Sequence, residues 1–141
     1  MMPTRTRILL PLVALAALTW QAGAARADLM SACAPEITRY CGDVSQGRGR
    51  VSACLAGEMG NLSAACRPEV QAVGRSRLTP ADVRKVFDPA FRAALPHACV
   101  APAARFCPGV PVGGGPIFAC LYARSDRVGK DCSDAARATL R

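Results

Sequence analysis

Eight cysteines are the residues of this chain with the greatest capacity for chemistry, and their spacing is regular. The steps between the first four are 8, 13 and 12 residues, and the steps between the last four are identical. They are Cys33, Cys41, Cys54, Cys66, Cys99, Cys107, Cys120 and Cys132. Cysteines can form disulfides, bind a metal or carry out redox exchange, so the spacing must decide among these uses.

The spacing favours structural disulfides. Zinc sites use ligand pairs two to four residues apart, and thioredoxin-like sites use CxxC. The closest cysteines here are eight residues apart. An even number of cysteines in a small exported chain is typical of a disulfide framework. We therefore expect all eight cysteines to be structural, and we expect no catalytic, cofactor-binding or metal-binding residue among them.

The chain contains an internal duplication. Every cysteine recurs 66 residues later, so the pattern C-x7-C-x12-C-x11-C occurs twice. Neighbouring residues recur at the same shift, as Ala53-Cys54-Leu55 does at Ala119-Cys120-Leu121. Self-similarity at a fixed period is the signature of repeated structural units. The sequence therefore predicts two copies of one small fold.

The apolar residues around the cysteines recur at helical spacing. Cys33, Ile37, Tyr40, Cys41 and Val44 lie at i, i+4, i+7, i+8 and i+11, on one face of an α-helix. The corresponding face recurs in the second copy. The predicted fold class is therefore all-α, with two disulfide-stapled helical repeats packed in tandem.

These patterns divide the chain into four segments. We expect a signal peptide over residues 1–27, a first repeat over 28–75, a linker over 76–98 and a second repeat over 99–141. Thr79-Pro80-Ala81-Asp82 in the linker is typical of a helix start, with a capping threonine and a proline at the first helical position. The linker is therefore expected to contain one or two short packed helices.

The disulfide pairing is not decided by the sequence alone, because four cysteines allow three pairings. Two antiparallel helices joined by a turn would bring the middle two cysteines of each copy together and leave the outer two to pair. The preferred pairs are Cys41–Cys54 and Cys33–Cys66, repeated as Cys107–Cys120 and Cys99–Cys132. One bridge closing a loop of about 10–20 residues stabilises a chain by about 3 kcal/mol, which a core this small needs.

A stretch rich in glycine and arginine, QGRGR at 46–50, lies between the middle cysteines of the first copy. A phosphate-binding loop would need a preceding strand and a Gly-Lys-Ser/Thr ending. The glycines recur in the second copy, whereas Arg48 and Arg50 do not. We therefore expect a turn shaped by glycine, with both arginines solvated. The predicted turn residues are Gly47, Gly49, Gly113 and Gly115.

Residues 1–27 have the layout of a secretory signal peptide. Arg5 and Arg7 precede an apolar run that ends at Trp20, and Ala25-Arg26-Ala27 supplies small residues for cleavage. The run is too short for a permanent transmembrane helix. We expect cleavage after Ala27, a location in the periplasm or outside the cell, and no stable membrane span afterwards.

The charge of the chain and the distribution of its catalytic residue types limit the classes of function that are compatible with the sequence. Cleavage would leave 15 basic and 10 acidic side chains, a net charge of +5, with no run of four basic residues. Such a surface attracts anions weakly and does not indicate a nucleic-acid-binding protein. His97 is the one histidine, and no serine lies in GxSxG. We expect a non-enzyme without a cofactor, whose partner is an unknown protein or an anionic ligand.

The segment 33–66 resembles the cysteine-rich repeat family of the Golgi-apparatus cysteine-rich glycoprotein, also described as a cysteine-rich fibroblast growth factor receptor. The resemblance lies in the four cysteines, Ile37, Tyr40, the 47–50 turn and Leu62-Ser63. Within that family, the chain resembles the small bacterial exported proteins that carry this repeat. The resemblance implies an extracytoplasmic, disulfide-linked helical unit. The expected function is a binding or structural module; the alternative is a thiol-based metal-binding or redox protein of the periplasm.

Overall fold

The computed structural model describes residues 28–141. The predicted signal peptide lies outside the described residues. Over 28–141 the chain forms α-helices and two short 3-10 turns without a β-strand, which confirms the all-α prediction. The helices are α1 Leu29–Ala32, α2 Ala34–Tyr40, α3 Arg50–Gly57, α4 Cys66–Arg75, α5 Ala81–Lys85, α6 Val100–Phe106, α7 Gly115–Ala123 and α8 Lys130–Leu140.

Each copy of the duplication contributes three helices in the same order. Helices α2, α3 and α4 form the first copy, and α6, α7 and α8 form the second. Helix α5 lies between them, followed by a 3-10 turn at His97–Cys99. A helix does begin in this part of the linker, but Pro80 is its N-cap and no side chain caps it. The expected roles of Thr79 as the cap and Pro80 as the first helical residue are therefore wrong, because the Thr79 hydroxyl donates to the Val73 carbonyl.

The two copies pack on each other through their central helices, α3 and α7. Ala53 and its counterpart Ala119 are fully buried. A Cβ atom on Gly57 would lie 3.2 Å from the Pro116 carbonyl oxygen. Because the last residue of α3 meets the first turn of α7, the two helices run antiparallel. Small residues allow this close approach, and the buried side chains of both copies form one core.

Large apolar side chains on both sides of this helix pair complete the core. Leu55, Val70 and Leu121 are buried. Phe118 is also buried and makes an edge-to-face contact with Phe91 of the linker, with ring centroids 5.6 Å apart. Aromatic pairs favour this geometry. The linker therefore contributes to the core and is part of the folded unit.

Two disulfides link the helices within each copy, which makes four in the described residues. Cys33 is bonded to Cys66 and Cys41 to Cys54, with Cα–Cα distances of 4.7 and 6.0 Å. The second copy has the same two bonds at the same two distances. This is the nested pairing preferred from the sequence. The outer bond joins the start of α2 to the start of α4, and the inner bond joins the end of α2 to α3.

Candidate functional site

The turn of the first copy is left-handed over three consecutive residues. Gly47, Arg48 and Gly49 have φ angles of 90°, 52° and 70°. Glycine adopts positive φ without the steric cost that a Cβ imposes. The structure therefore gives Gly47 and Gly49 the conformational role expected of them, and it places Arg48 in a conformation that is unusual for arginine.

The turn of the second copy is built differently. Gly113 has a φ of 89°, as its counterpart does, but Gly115 begins α7 and has no positive φ. The prediction that Gly115 shapes the turn is therefore wrong. A Cβ on Gly115 would lie 2.4 Å from the Val86 carbonyl oxygen, so this glycine is needed because the linker backbone passes directly over it.

The linker covers the second turn along several residues. The Ala93 N–H donates to the Gly113 carbonyl at 3.3 Å, and Arg92 forms an isolated β-bridge with Gly114. A Cβ on Gly114 would lie 3.2 Å from the Phe91 carbonyl oxygen. The second turn is therefore a docking point for the linker, whereas Gly47 and Gly49 of the first turn have open space where a Cβ atom would lie.

Arg50 lies at the start of α3 and is held in place. Its Nε donates to the Ser45 carbonyl at 3.1 Å, and its Nη2 donates to the Gln46 carbonyl at 3.0 Å. Its Nη1 lies 3.9 Å from the Asp126 carboxylate, and only 18 % of its side chain is exposed. The expectation that Arg50 is simply solvated is therefore wrong: it braces the turn and faces the second copy.

Asp43 forms ion pairs with two arginines of the second copy. Arg124 Nη2 lies 3.0 Å from one carboxylate oxygen and Arg127 Nη1 lies 2.6 Å from the other. Partial burial opposes ionisation of Asp43, but the hydrogen bonds and charges of Arg124 and Arg127 outweigh it and lower its pKa. Arg124 Nη2 also donates to the Tyr40 carbonyl at 3.3 Å. These contacts connect the end of α2 to the segment after α7.

A second acidic residue of the interface, Asp126, receives a hydrogen bond from Ser45. The Ser45 hydroxyl donates to the Asp126 carboxylate at 2.5 Å. This bond lowers the pKa of Asp126, and the charges of Arg50 and Arg127 act in the same direction. We call these residues the interface cluster, defined as Asp43, Ser45, Arg50, Arg124, Asp126 and Arg127.

The interface cluster has no counterpart on the opposite side of the molecule. At the 66-residue shift, Gly109 replaces Asp43 and Gly60 replaces Asp126, while Glu58 replaces Arg124. There, Pro89 and Arg92 of the linker line a hollow together with Pro111 and Pro116, the counterparts of Ser45 and Arg50. Packing explains why the second turn has no counterpart of Arg48, because a long side chain at Gly114 would meet the linker backbone.

Glu36 is a buried acid that the sequence analysis missed. It is 8 % exposed, and its Oε1 accepts a hydrogen bond from the Ser63 backbone N–H at 3.0 Å. Hydrogen bonding with Ser63 lowers its pKa despite the opposing effect of burial. The second copy has Pro102 and Gly129 at these two positions. The replacement of both Glu36 and Ser63 in the second copy is the sequence signal that could have indicated their contact.

No thiol chemistry is available to the cysteines in this state. All eight are 0–4 % exposed, and no free cysteine is present in residues 28–141. Over the same residues, no group of three or more His, Cys, Asp or Glu side chains is placed to hold a metal ion. His97 lies exposed in the 3-10 turn before α6.

Two hollows flank Phe87 on the face formed by α4, α5 and the loop between them. The first has a volume of about 490 Å³, and Arg48 and Leu78 are among its lining residues. The second has a volume of about 460 Å³, and it includes Met59 and Arg84. We call the two hollows together the linker groove. It is the open surface to which the left-handed first turn contributes.

The helices of the described segment are all too short or too polar to cross a membrane.

Fold and disulfides together define a small helical protein stapled by nested cystines. The family model described as "Cysteine rich repeat" matches residues 25–63, which include the first three cysteines, and over those residues it confirms the resemblance noted from the sequence. No curated protein and no solved structure matches the chain.

Proposed function

We propose that this protein is an exported, non-enzymatic binding module. Four disulfides require an oxidising compartment to form and persist, which supports a non-cytoplasmic location. A signal peptide over 1–27, with a mature chain that begins at Asp28, would deliver the protein there. The matched cysteine-rich repeat supports a structural or binding role in place of catalysis.

The observation that carries this proposal is the state of the cysteines. Every cysteine is bonded and almost inaccessible to solvent, so the residues best able to react are used to hold the fold. The disulfides leave the surface free for recognition. The partner proposed is a protein or an anionic ligand, consistent with the excess of basic side chains after residue 27.

We further propose that 28–75 and 99–141 are two repeats joined by a structural linker at 76–98. The buried side chains of both repeats belong to one core, and the linker supplies Phe91 to it. Neither repeat is therefore expected to fold by itself, and the binding module is the whole mature chain.

Export is tested by mass spectrometry of the protein recovered from the periplasm and from the culture medium. The expected mass is that of a chain beginning at Asp28 with eight fewer hydrogen atoms than the reduced form. The fraction that contains it decides between periplasm and full secretion. A chain that retains residues 1–27 and free thiols would contradict the proposal.

Binding is tested by immobilising the oxidised protein and capturing proteins from the same compartment. The matched control is the reduced and alkylated protein, which has the same amino-acid sequence but no disulfide bonds. We expect a partner retained by the oxidised form alone. If a thiol-specific reagent or zinc titrates cysteines of the native protein, the alternative of a thiol-based metal or redox protein replaces this proposal.

A further inference from the structure

The loop between α4 and α5 presents an apolar side chain to solvent beside a hollow. Leu78 is 95 % exposed, and it borders the first hollow of the linker groove. The loop backbone around it is fixed, since the Thr79 hydroxyl donates to the Val73 carbonyl at 2.7 Å and the Leu78 N–H donates to the Ser76 hydroxyl at 3.2 Å. Leu78 is therefore held out from the surface by a structured loop.

The floor of the first hollow is also apolar. Its lining includes Val73, Val83, Phe87 and the ring of Tyr122. A Cβ on Gly74 would lie 2.5 Å from the Phe87 Cβ, so Phe87 packs directly onto α4 and cannot drop deeper into the core. A side chain from a partner that contacts this floor would remove apolar surface from water, which stabilises binding.

Arg48 is the charged residue of the first hollow's lining. Its backbone is fixed, because its carbonyl accepts a 2.8 Å hydrogen bond from the Tyr122 hydroxyl. Among the described residues, its guanidinium forms no hydrogen bond or ion pair of its own, and the residue is exposed. A preorganised guanidinium with free donors is suited to a carboxylate.

The second hollow adds charge of the same sign. Arg75 and Arg84 line it together with one acidic residue, Asp88. One Asp88 carboxylate oxygen is already engaged by the Ala90 N–H at 2.8 Å. The linker groove therefore has three arginines against one aspartate along an apolar floor. A ligand complementary to it carries negative charge and at least one apolar side chain.

We propose that the linker groove binds an acidic peptide segment of a partner protein, with an apolar side chain against Leu78 and Phe87 and a carboxylate on Arg48. This deepens the proposed binding role and rests on it. A second copy of this chain fits less well, because an isologous contact would bring the arginines of two grooves together. An inorganic anion alone would leave the apolar floor uncovered.

The test is selection of a displayed random heptapeptide library on the immobilised, oxidised protein. We expect enriched peptides that combine aspartate or glutamate with leucine, isoleucine, phenylalanine or methionine. The strongest peptide, made with a fluorescent label, is then titrated by anisotropy. Its affinity should fall at least tenfold for Leu78→Ser and for Arg48→Glu, and it should weaken with added salt.

The matched controls lie outside the groove. Val100→Ser removes another exposed apolar side chain, at the first position of α6, and Arg39→Glu reverses an exposed charge on α2. Both controls should bind the peptide as the unaltered protein does. Circular dichroism of each variant ensures that a loss of affinity is not a loss of fold.

Several results would overturn the groove. They are the enrichment of no peptide, enriched peptides without acidic residues, and an affinity of Leu78→Ser and Arg48→Glu that equals that of the unaltered protein. In the last case binding occurs elsewhere on the protein, and the proposed function survives. A dimer in sedimentation that Leu78→Ser converts to a monomer would identify a second copy as the occupant. The proposed function is tested separately by the capture experiment, which uses the unaltered protein and neither variant.

Discussion

The Tyr122 hydroxyl donates a 2.8 Å hydrogen bond to the Arg48 carbonyl, joining the end of α7 to the turn before α3. The two residues belong to different copies of the duplication and are 74 positions apart. In the first copy, Ala56 occupies the position of Tyr122, so this bond exists on one side of the molecule. It holds the left-handed turn against the second copy and shapes the wall of the linker groove.

Removing this hydroxyl should loosen the turn without disturbing the core. Tyr122→Phe is expected to lower the free energy of unfolding by about 0.5–1.5 kcal/mol, the usual net contribution of one hydrogen bond. Urea denaturation with disulfides intact measures it. Tyr40→Phe is the matched control, and an equal loss in both variants would contradict the role assigned to this bond.

The glycines of the two turns should respond differently to the same substitution. Asparagine tolerates positive φ better than most residues, so Gly49→Asn should be mild and Gly49→Val should cost more. Gly115→Ala should destabilise by about 1–3 kcal/mol, because its Cβ would collide with the Val86 carbonyl 2.4 Å away. Thermal unfolding of the three variants checks this, and a neutral Gly115→Ala would show that the linker does not cover α7 so closely.

The two arginines of the first turn should separate in a stability measurement. Arg48→Ala should fall within about 0.5 kcal/mol of the unaltered protein, as exposed substitutions usually do. Arg50→Ala should cost more, because it removes donors from the Ser45 and Gln46 carbonyls. Chemical denaturation of both variants is the measurement. Equal stability of the two variants would show that both arginines are merely solvated, as the sequence predicts.

Much of the fold follows from the period of the cysteines. The apolar residues share a helical face with the cysteines, so the 66-residue shift predicts repeated helices and makes the nested pairing reasonable. Helical patterns are local, and they survive in both copies because each copy must cover its own disulfides. The close α3–α7 contact is less visible, since alanine and glycine such as Ala53 and Gly57 occur in many environments.

The predictions that the structure contradicts concern contacts between distant segments. Gly115 looks like a turn glycine because its counterpart is one, but the Val86 carbonyl that requires it comes from the linker. Arg50 looks dispensable in the sequence because the second copy has Pro116 in its place. Its partner Asp126 is also lost at the shift, to Gly60. Joint loss of two opposite charges was the signal that they interact, and it appears only when both copies are compared position by position.

Acidification should weaken the contact between the copies. The pKa values of Asp43 and Asp126 lie below the ordinary 3.8 of aspartate in the folded protein. A carboxyl with a lowered folded pKa contributes stability above its unfolded pKa, and that contribution is lost as the pH falls through the folded value. The melting temperature should therefore decrease as the pH is lowered below about 4. A double Asp43→Asn, Asp126→Asn variant should be less stable at pH 7 and less sensitive to acid, whereas Asp131→Asn on α8 serves as the control.

The two kinds of disulfide should differ in what they contribute. The outer bond, Cys33–Cys66, spans 33 residues and the inner bond, Cys41–Cys54, spans 13. In the chain-entropy model the longer loop stabilises more, here by about 0.8 kcal/mol. Replacing both cysteines of the outer pair by alanine should therefore lower the free energy of unfolding more than replacing both of the inner pair. The two pairs leave comparable buried sites, so the loop length is the main difference between them.

The second copy provides an independent repetition of this comparison. Cys99–Cys132 and Cys107–Cys120 have the same two separations, 33 and 13 residues. Four double variants, each unfolded in guanidinium chloride without reductant, should fall into two classes set by loop length and not by copy. Peptide mapping of the remaining bonds ensures that no cysteine has exchanged partners. If the variants instead group by copy, native packing around each repeat outweighs the entropy of the unfolded chain. If the inner pairs contribute more to the free energy of unfolding, then holding each turn in the native state stabilises the protein more than closing a long loop in the unfolded chain does.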